Sequence, residues 1–232
     1  MTDFSLIIPA AGLGVRSGQS LPKQYVPILE RPLLEWTLST FIEIEACRQI
    51  IVAVDPEWRR EGEKVITGFV KVVLVDGGKE RQDSIRNGLS RIKDELSIVL
   101  IHDAVRPVVS PELIGRLIEA VAEHGAAIPV LPIAETVKRV RAEQVLKTLP
   151  RDELYTAQTP QGFDANLLRR AYEHAMKKGV QGTDDASLVE ALGERVAAIP
   201  GESDNIKVTW PVDFERVEWL LRSQQATSKS AE

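Results

Sequence analysis

Apolar runs with the length of strands recur along the chain, and most are rich in β-branched residues. They are residues 4–8, 50–54, 71–75, 97–101 and 126–130. Segments with apolar residues at helical spacing lie between them, for example residues 33–42 and 113–121. Solid apolar strands that alternate with helices predict an α/β fold. We expect a doubly wound, mostly parallel Rossmann-like sheet with helices on both faces.

The same alternation continues into the last third of the chain. Helices are predicted over residues 164–178, 184–192 and 211–221, and a strand over residues 195–199. Thr183 is the expected cap of the second of these helices, and residues 155–163 are expected to form a loop. The polar residues 223–232 are expected to fray. Because no linker divides the chain, residues 1–232 are expected to form a single domain.

The alternation breaks between residues 133 and 149, where charged residues mix with β-branched ones. This pattern predicts a β-hairpin with a polar turn near Ala142 and Glu143. Such a hairpin has too little apolar surface to fold alone. We therefore expect a protruding arm, about residues 133–150, that packs on a second subunit of a homodimer. The alternative is a flap that packs on its own domain.

Four small residues follow the first predicted strand, and they leave the backbone bare, so that its N–H groups can approach an anion. They are Ala10, Ala11, Gly12 and Gly14. Two cations that suit a polyphosphate, Arg16 and Lys23, come next. A strand, a glycine turn and paired cations predict a nucleotide site. The alternative is an ordinary strand-to-helix turn with two solvated cations.

The spacing of this loop disfavours two common glycine motifs. The dinucleotide fingerprint would need glycine or alanine at position 17, where Ser17 stands, so a dehydrogenase is disfavoured. A phosphate loop of the ATPase kind would need Gly-Lys-Ser/Thr after four intervening residues, and the loop lacks it.

Two further stretches of special composition follow predicted strands. They are Gly77–Gly78 and His102–Asp103–Ala104. In parallel sheets, ligands bind beyond the carboxyl ends of the strands. We therefore expect both stretches to line one site together with the glycine loop.

Charge and composition limit the kinds of partner that the protein is expected to bind. The formal net charge of −5 disfavours a nucleic-acid partner, while local cations can still bind a small anion. The single cysteine, Cys47, cannot form an internal disulfide, and no zinc-ligand spacing occurs. No apolar run has the length of a membrane span, and the N-terminus has no signal-peptide pattern. These features favour a cytoplasmic protein without a membrane partner.

Five sequence blocks occur in an order that carries a family resemblance. They are residues 9–16 (Pro-Ala-Ala-Gly-x-Gly-x-Arg), 22–25 (Pro-Lys-Gln-Tyr), 102–107 (His-Asp-Ala-x-Arg-Pro), 159–161 (Thr-Pro-Gln) and 205–207 (Asn-Ile-Lys). Over nearly its whole length the chain resembles the 2-C-methyl-D-erythritol 4-phosphate cytidylyltransferases of non-mevalonate isoprenoid biosynthesis. The resemblance implies an enzyme that joins CTP and this polyol phosphate into 4-diphosphocytidyl-2-C-methyl-D-erythritol and releases pyrophosphate.

The resemblance also implies roles for individual residues. Arg16 and Lys23 would stabilise the transition state at the phosphates, and Asp103 would hold Mg²⁺ or another divalent cation. The contacts to CTP would come from Ala10, Ala11, Gly12, Gly14, Gly78, Ser84, Ala104 and Arg106. The sugar phosphate would be bound by Thr136, Arg151, Thr159 and Lys207. Of these, Arg151 and Lys207 would act in catalysis, and Thr136 and Arg151 would reach in from the partner subunit's arm.

The residue types suit this chemistry. Two polyanions must meet, so cations are needed around the reacting phosphorus. A phosphate monoester is largely ionised near neutral pH, so no general base is required. Mg²⁺ binds few carboxylates together with phosphate oxygens, so one aspartate at a strand end can suffice. Asp103 taken alone is also typical of a turn-capping carboxylate.

Two other functions stay open at this point. Cytidylyltransferases for another polyol phosphate, such as ribitol 5-phosphate, look similar in the same blocks. A nucleotide-binding regulator without turnover is disfavoured by Lys207, because binding alone does not require a cation on the acceptor side.

Overall fold

A computed structural model describes residues 2–12, 21–93 and 97–229 of the chain. Its strands are β1 (Phe4–Ala10), β2 (Pro27–Ile28), β3 (Arg31–Pro32), β4 (Cys47–Val54), β5 (Val72–Asp76), β6 (Ile98–Ile101), β7 (Ala126–Pro132), β8 (Val137–Arg141), β9 (Gln144–Leu149), β10 (Tyr155–Ala157), β11 (Gln161–Asp164) and β12 (Ala197–Pro200). Its α-helices are α1 (Leu33–Glu43), α2 (Arg59–Val65), α3 (Arg81–Leu89), α4 (Pro111–His124), α5 (Ala165–Lys178), α6 (Asp185–Ala191) and α7 (Pro211–Lys229).

Eight of the described strands form one mixed sheet in the order β10-β7-β11-β6-β1-β4-β5, with β12 paired to β7. The neighbours β6, β1, β4 and β5 are parallel, as is the pair β12 and β7. Strand β11 runs antiparallel between β6 and β7, and β10 runs antiparallel to β7. The prediction of a mostly parallel, doubly wound sheet is confirmed.

The predicted loop over residues 155–163 is wrong in two places, because this stretch contributes β10 and most of β11 to the sheet. Both strands are short, and the polar residues Gln158 and Thr159 stand between them. Their side chains are buried and form hydrogen bonds, whereas loop side chains would be exposed. Residues 158–163 are therefore buried although they lack a periodic pattern of apolar residues.

The sheet separates two apolar cores. Alternate residues of β1 face opposite sides: Phe4, Leu6 and Ile8 belong to one core and Ile7 to the other. The first core contains the buried faces of α1, α4 and α7, and the second contains those of α3, α5 and α6. This arrangement explains why the strands read as solid apolar runs.

Helix ends follow local chemistry, with one correction. Ser110 caps α4 by accepting a hydrogen bond from the N–H of Leu113, and Gly125 ends the helix with a φ of 80°. Helix α6 is capped by Asp184 and not, as predicted, by Thr183. The Asp184 carboxylate accepts a hydrogen bond from the N–H of Ser187. The Ser187 hydroxyl oxygen accepts one from the N–H of Asp184, which completes a capping box.

The last helix is longer than the predicted span of residues 211–221. It runs from Pro211 to Lys229 and so includes residues 223–229 of the tail that is expected to fray. Arg222 pairs with Glu218 one turn earlier, and the segment contains no glycine or proline to end the helix. Residues 230–232 lie outside the described part of the chain.

The predicted arm is present as the hairpin of β8 and β9. Its turn lies at Ala142 and Glu143, with φ values of 48° and 63°, the left-handed pair that a tight hairpin requires. Among the described strands, β8 and β9 pair only with each other. The arm therefore stands apart from the main sheet and exposes its apolar side chains Val140, Val145 and Leu146.

None of the described helices combines the length and the apolar character that crossing a bilayer demands.

Candidate active site

The ends of β1, β5 and β6 meet at one cavity of about 270 Å³. The three stretches singled out in the sequence thus lie together, at the carboxyl ends of parallel strands, as predicted. The cavity is lined by Pro9, Ala10, Ala11, Gly12, Lys23, Gln24, Gly78, Lys79, Glu80, Arg81, Ser84, Asp103, Ala104, Val105 and Lys207.

Asp103 is the buried carboxylate at the centre of this charge cluster. Lys207 Nζ lies 2.9 Å from Asp103 Oδ2, and Arg106 Nε lies 3.3 Å from the same oxygen. Arg81 Nε lies 3.7 Å from Asp103 Oδ1. Burial opposes ionisation of the carboxyl, but these three cations outweigh it and hold the pKa of Asp103 well below its usual range. Asp103 is therefore a carboxylate at any working pH.

The wall behind Asp103 is a network of buried polar groups. The Thr159 hydroxyl donates to His102 Nδ1 at 3.2 Å and accepts from the N–H of Asp103 at 3.0 Å. His102 Nε2 donates to the Arg106 carbonyl at 2.9 Å, which is the arrangement of a neutral imidazole. Burial lowers the pKa of His102 to about 4, in agreement with that neutral form. The network fixes the backbone that carries Asp103.

Two predicted contact residues lie in this wall and not at the cavity surface. Arg106 donates to the Asn205 carbonyl at 2.7 Å and pairs with Asp103. Thr159 is occupied by His102 and Asp103. Neither Arg106 nor Thr159 lines the cavity. Both instead contact Asp103, which does line it.

Lys23 and Gln24 lie in a short 3₁₀ turn, Lys23–Tyr25, at the cavity rim. Lys23 Nζ donates to the Val208 carbonyl at 2.9 Å, next to Lys207. The Gln24 amide donates to the carbonyls of Ala10 at 2.6 Å and Gly12 at 3.1 Å. Gln24, to which the sequence assigns no contact with substrate, therefore ties Ala10 and Gly12 to the segment that carries Lys23.

Gly78 and Ser84 form the third wall. The N–H of Gly78 donates to Ser84 Oγ at 3.0 Å, where α3 begins. A Cβ at position 78 would lie 2.2 Å from Cβ of Asp83, so only glycine fits this turn. Gly78 therefore lines the cavity with backbone atoms, while its N–H is held by Ser84.

Two predicted residues that the structure describes do not line this cavity. Thr136 and Arg151 lie beside the arm and do not line the cavity of this subunit, and Arg151 donates to the Ala134 carbonyl. Gly14 and Arg16 lie outside the described residues.

Arg81 is a site residue that the sequence reasoning missed. It lines the cavity, and its Nη2 lies 2.6 Å from Asp185 Oδ2. Burial disfavours the charge of Arg81, but Asp185 and Asp103 outweigh burial and raise the pKa of the guanidinium, so it stays charged. The available signal was an arginine at the first position of a helix that follows a Gly-Gly turn.

The donor set around Asp103 fits a magnesium ion held mainly by substrate. Mg²⁺ takes one or two carboxylates and completes its shell with water and phosphate oxygens. Asp103 and Glu80 are the acidic residues among those lining the cavity. Within the described residues, no group of three or more His, Cys, Asp or Glu side chains could enclose a metal ion.

The family model of 2-C-methyl-D-erythritol 4-phosphate cytidylyltransferase matches residues 4–223. The protein of that name from Bacillus cytotoxicus is 40% identical, over 96% of this chain and 99% of the relative. The one from Acidobacterium capsulatum is 41% identical, over 95% and 98%. The crystal structure of the Thermus thermophilus protein of that name has a TM-score of 0.82 and 39% identity, over 96% of this chain and 100% of that chain. The chain therefore belongs to the 2-C-methyl-D-erythritol 4-phosphate cytidylyltransferase family.

Proposed function

We propose that this chain carries out the reaction for which its family is named, with the cavity described above as the nucleotide site. The family identifies the chain as a nucleotidyltransferase of isoprenoid biosynthesis, as the sequence predicts. The substrates are CTP and 2-C-methyl-D-erythritol 4-phosphate. The observation that carries the proposal is one cavity in which Lys23, Asp103 and Lys207 come together beside the small residues at positions 10–12.

The chemical step follows from the charges. A phosphate oxygen of the polyol phosphate attacks the α-phosphorus of CTP, the bond from that phosphorus to the bridging oxygen breaks, and pyrophosphate leaves with the electron pair. The attacking oxygen is already ionised, so His102, which is neutral and fully buried, need not accept a proton. Lys23 and Lys207 would offset the charge that builds up on the phosphorus oxygens. Arg16 is proposed to act with Lys23.

Contacts to the nucleotide are proposed for residues on each of the three strand ends. The backbone at Ala10, Ala11, Gly12 and Gly14 would face the phosphates, while Gly78 and Ser84 would face the base. Ala104 lines the same cavity, and Arg106 supports it from behind through Asp103.

A magnesium ion is part of the proposal, with Asp103 as its carboxylate ligand. When bound, Mg²⁺ would neutralise charge on the triphosphate. The chain's own residues prepare for it, because the three surrounding cations keep Asp103 ionised. The same three cations make the surroundings of Asp103 positive, and this positive charge attracts a polyphosphate.

We also propose a homodimer through the arm. Thr136 and Arg151 lie beside the arm and away from the cavity of their own subunit, which supports a role for them at the partner's site. The exposed apolar side chains of the arm would be buried by such contact. A cytoplasmic location is proposed as well, because it is where a CTP-dependent biosynthetic enzyme finds its nucleotide.

The reaction can be tested directly with purified protein. Incubation with CTP, Mg²⁺ and 2-C-methyl-D-erythritol 4-phosphate should give pyrophosphate and the diphosphocytidyl product in equal amounts. Ribitol 5-phosphate in place of the methylerythritol acceptor should give little product. Turnover with ribitol 5-phosphate alone would assign the chain to the other acceptor.

The metal requirement is a separate prediction. Excess chelator should abolish turnover, and added Mg²⁺ should restore it, because the metal ion that Asp103 would hold neutralises negative charge on the triphosphate. Full activity in excess chelator would remove the metal role of Asp103 and leave the transfer reaction in place.

A further inference from the structure

Arg81 joins the cavity to a carboxylate that lies outside it. Arg81 is the first residue of α3 and lines the cavity. Its Nε faces Asp103 Oδ1 at 3.7 Å, and its Nη2 faces Asp185 Oδ2 at 2.6 Å. One planar guanidinium thus contacts both carboxylates, which a lysine could not do in the same geometry.

Asp185 is built to hold this guanidinium. Its side chain is 1% exposed and is not among the residues that line the cavity. Asp185 Oδ1 accepts a hydrogen bond from the Tyr172 hydroxyl at 2.6 Å, and the Asp185 N–H donates to Gln161 Oε1 at 3.1 Å. Helices α5 and α6 and strand β11 therefore fix the position of Asp185.

Asp103 has a different set of partners on each oxygen. Oδ2 faces Lys207 and Arg106, while Oδ1 faces Arg81. The side chain of Lys207 is 41% exposed and that of Arg106 is 10% exposed. Lys207 is thus the partner that can turn towards an acceptor phosphate. When it does, Arg81 and Arg106 remain to orient the carboxylate.

We propose that Arg81 is a positioning residue, anchored by the buried Asp185, which orients Asp103 for the nucleotide and its metal ion. This inference rests on the proposed function and deepens it. Arg81 acts through Asp103 and not by binding a phosphate, because its charge is already shared between two carboxylates. Tyr172 and Gln161 belong to the same unit, although neither lines the cavity.

The test compares Arg81→Met, Asp185→Asn and the double variant. In each, kcat should fall about 10- to 100-fold, the usual effect of removing a group that orients a metal ligand. The Kd of CTP, measured by calorimetry with Mg²⁺ present, should change by less than about threefold. The kcat of the double variant should be no lower than that of the less active single variant, because both substitutions break the same Arg81–Asp185 pair.

Two further variants separate positioning from fold and charge. Arg81→Lys keeps the charge but cannot reach both carboxylates, so it should lose kcat as well. Arg86→Met is the matched control on the same helix, since Arg86 pairs with Asp83 away from the cavity, and it should keep wild-type kcat. Arg81→Met leaves a buried charge unpaired and could fail to fold. Arg81→Lys and the double variant, which removes both charges, then decide the question.

Three results would overturn the inference. Wild-type kcat in folded Arg81→Lys and in the double variant would show that Arg81 does not position Asp103. A loss in Arg81→Met with wild-type kcat in Asp185→Asn would show that Arg81 acts without its anchor. A large rise in the CTP Kd at unchanged kcat would make Arg81 a nucleotide-binding residue. An inactive wild-type protein would instead reject the proposed function.

Discussion

Lys23 illustrates how a single residue serves the cavity at the smallest scale. Its amine donates to the Val208 carbonyl, beside Lys207, so both lysines belong to one wall. Each is held close to the carboxylate or carbonyl that orients it. A polyphosphate that enters the cavity therefore meets charges that are already in place, which lowers the reorganisation needed during reaction.

The first prediction at this scale concerns Lys23→Ala. Removal of a charge that stabilises the transition state should lower kcat by roughly 10² or more, comparable to one oxyanion-hole donor. Steady-state kinetics against CTP measure it. Lys177→Ala, an exposed lysine on α5, is the control and should behave as wild type. An unchanged kcat with a raised KM would mean that Lys23 binds the ground state and transition state equally.

The second residue-scale prediction concerns the thiol of Cys47. Cys47 is fully buried in β4, and burial raises its pKa to about 12. At pH 8 only roughly one thiol in 10⁴ is then ionised, so native protein should react with iodoacetamide far more slowly than unfolded protein. Mass spectrometry of both samples measures the rates. Fast alkylation of the native protein would contradict the buried position of this residue.

Site residues could be predicted from the sequence where polar, charged or glycine residues follow a predicted strand. Gly78 and Asp103 each follow an apolar run closely, Lys23 follows the glycine-containing stretch after the first run, and the structure brings all three to one cavity. For Arg81 the local signal was only its place at the start of a helix after the Gly-Gly turn, whereas its pairing with Asp185, 104 positions further along the chain, has no local signal. Sequence spacing carries no record of that contact, which forms only when α3 and α6 pack on the same face of the sheet.

At the scale of elements, β11 shows where prediction from periodicity ends. Four residues, Gln161–Asp164, form a central strand with three buried positions, but only Phe163 is a large apolar residue. The strand is held by its neighbours β6 and β7 and by the buried amide of Gln161. Long apolar strands and capped helices were predictable because their signals are local. A short strand fixed by tertiary contacts has no such signal.

A stability prediction tests this strand. A Cβ at Gly162 would lie 2.6 Å from Val121 Cγ2 and 3.0 Å from Leu100 Cδ2, beneath α4. Gly162→Ala should therefore lower the free energy of unfolding by about 1–3 kcal/mol through overpacking. Urea denaturation measures the change. Gly12→Ala is the control, because no atom of the described residues lies within 4 Å of its added Cβ. Equal stability of both variants would place β11 away from α4.

At the scale of the whole molecule, the main sheet and the arm differ in what supports them. The sheet has an apolar core on each face. The arm has a single pair of strands and exposes Val140, Val145 and Leu146. A two-stranded hairpin is marginally stable by itself, so a partner surface would stabilise it. Composition and patterning predict this contrast, but they do not specify which surface covers the arm.

The last prediction asks whether Arg151 completes the site of the partner subunit. In a symmetric dimer with shared sites, an Arg151→Ala chain mixed with a Lys23→Ala chain forms heterodimers with one doubly damaged site and one intact site. Activity should then return, up to about half of wild type per heterodimer. Each variant alone should stay nearly inactive, and a mixture of two differently tagged Lys23→Ala chains is the control for subunit exchange.

The geometry makes the outcome decisive. Lys23 lines the cavity of its own subunit, whereas Arg151 lies beside the arm and does not line it. If Arg151 acts within its own subunit, every site in the mixture keeps one lesion and no activity returns. Recovery therefore requires Arg151 to cross to the neighbour. Absence of recovery in a mixture with proven heterodimers would reject the shared site, while the assignment to the cytidylyltransferase family, which rests on the chain itself, would stand.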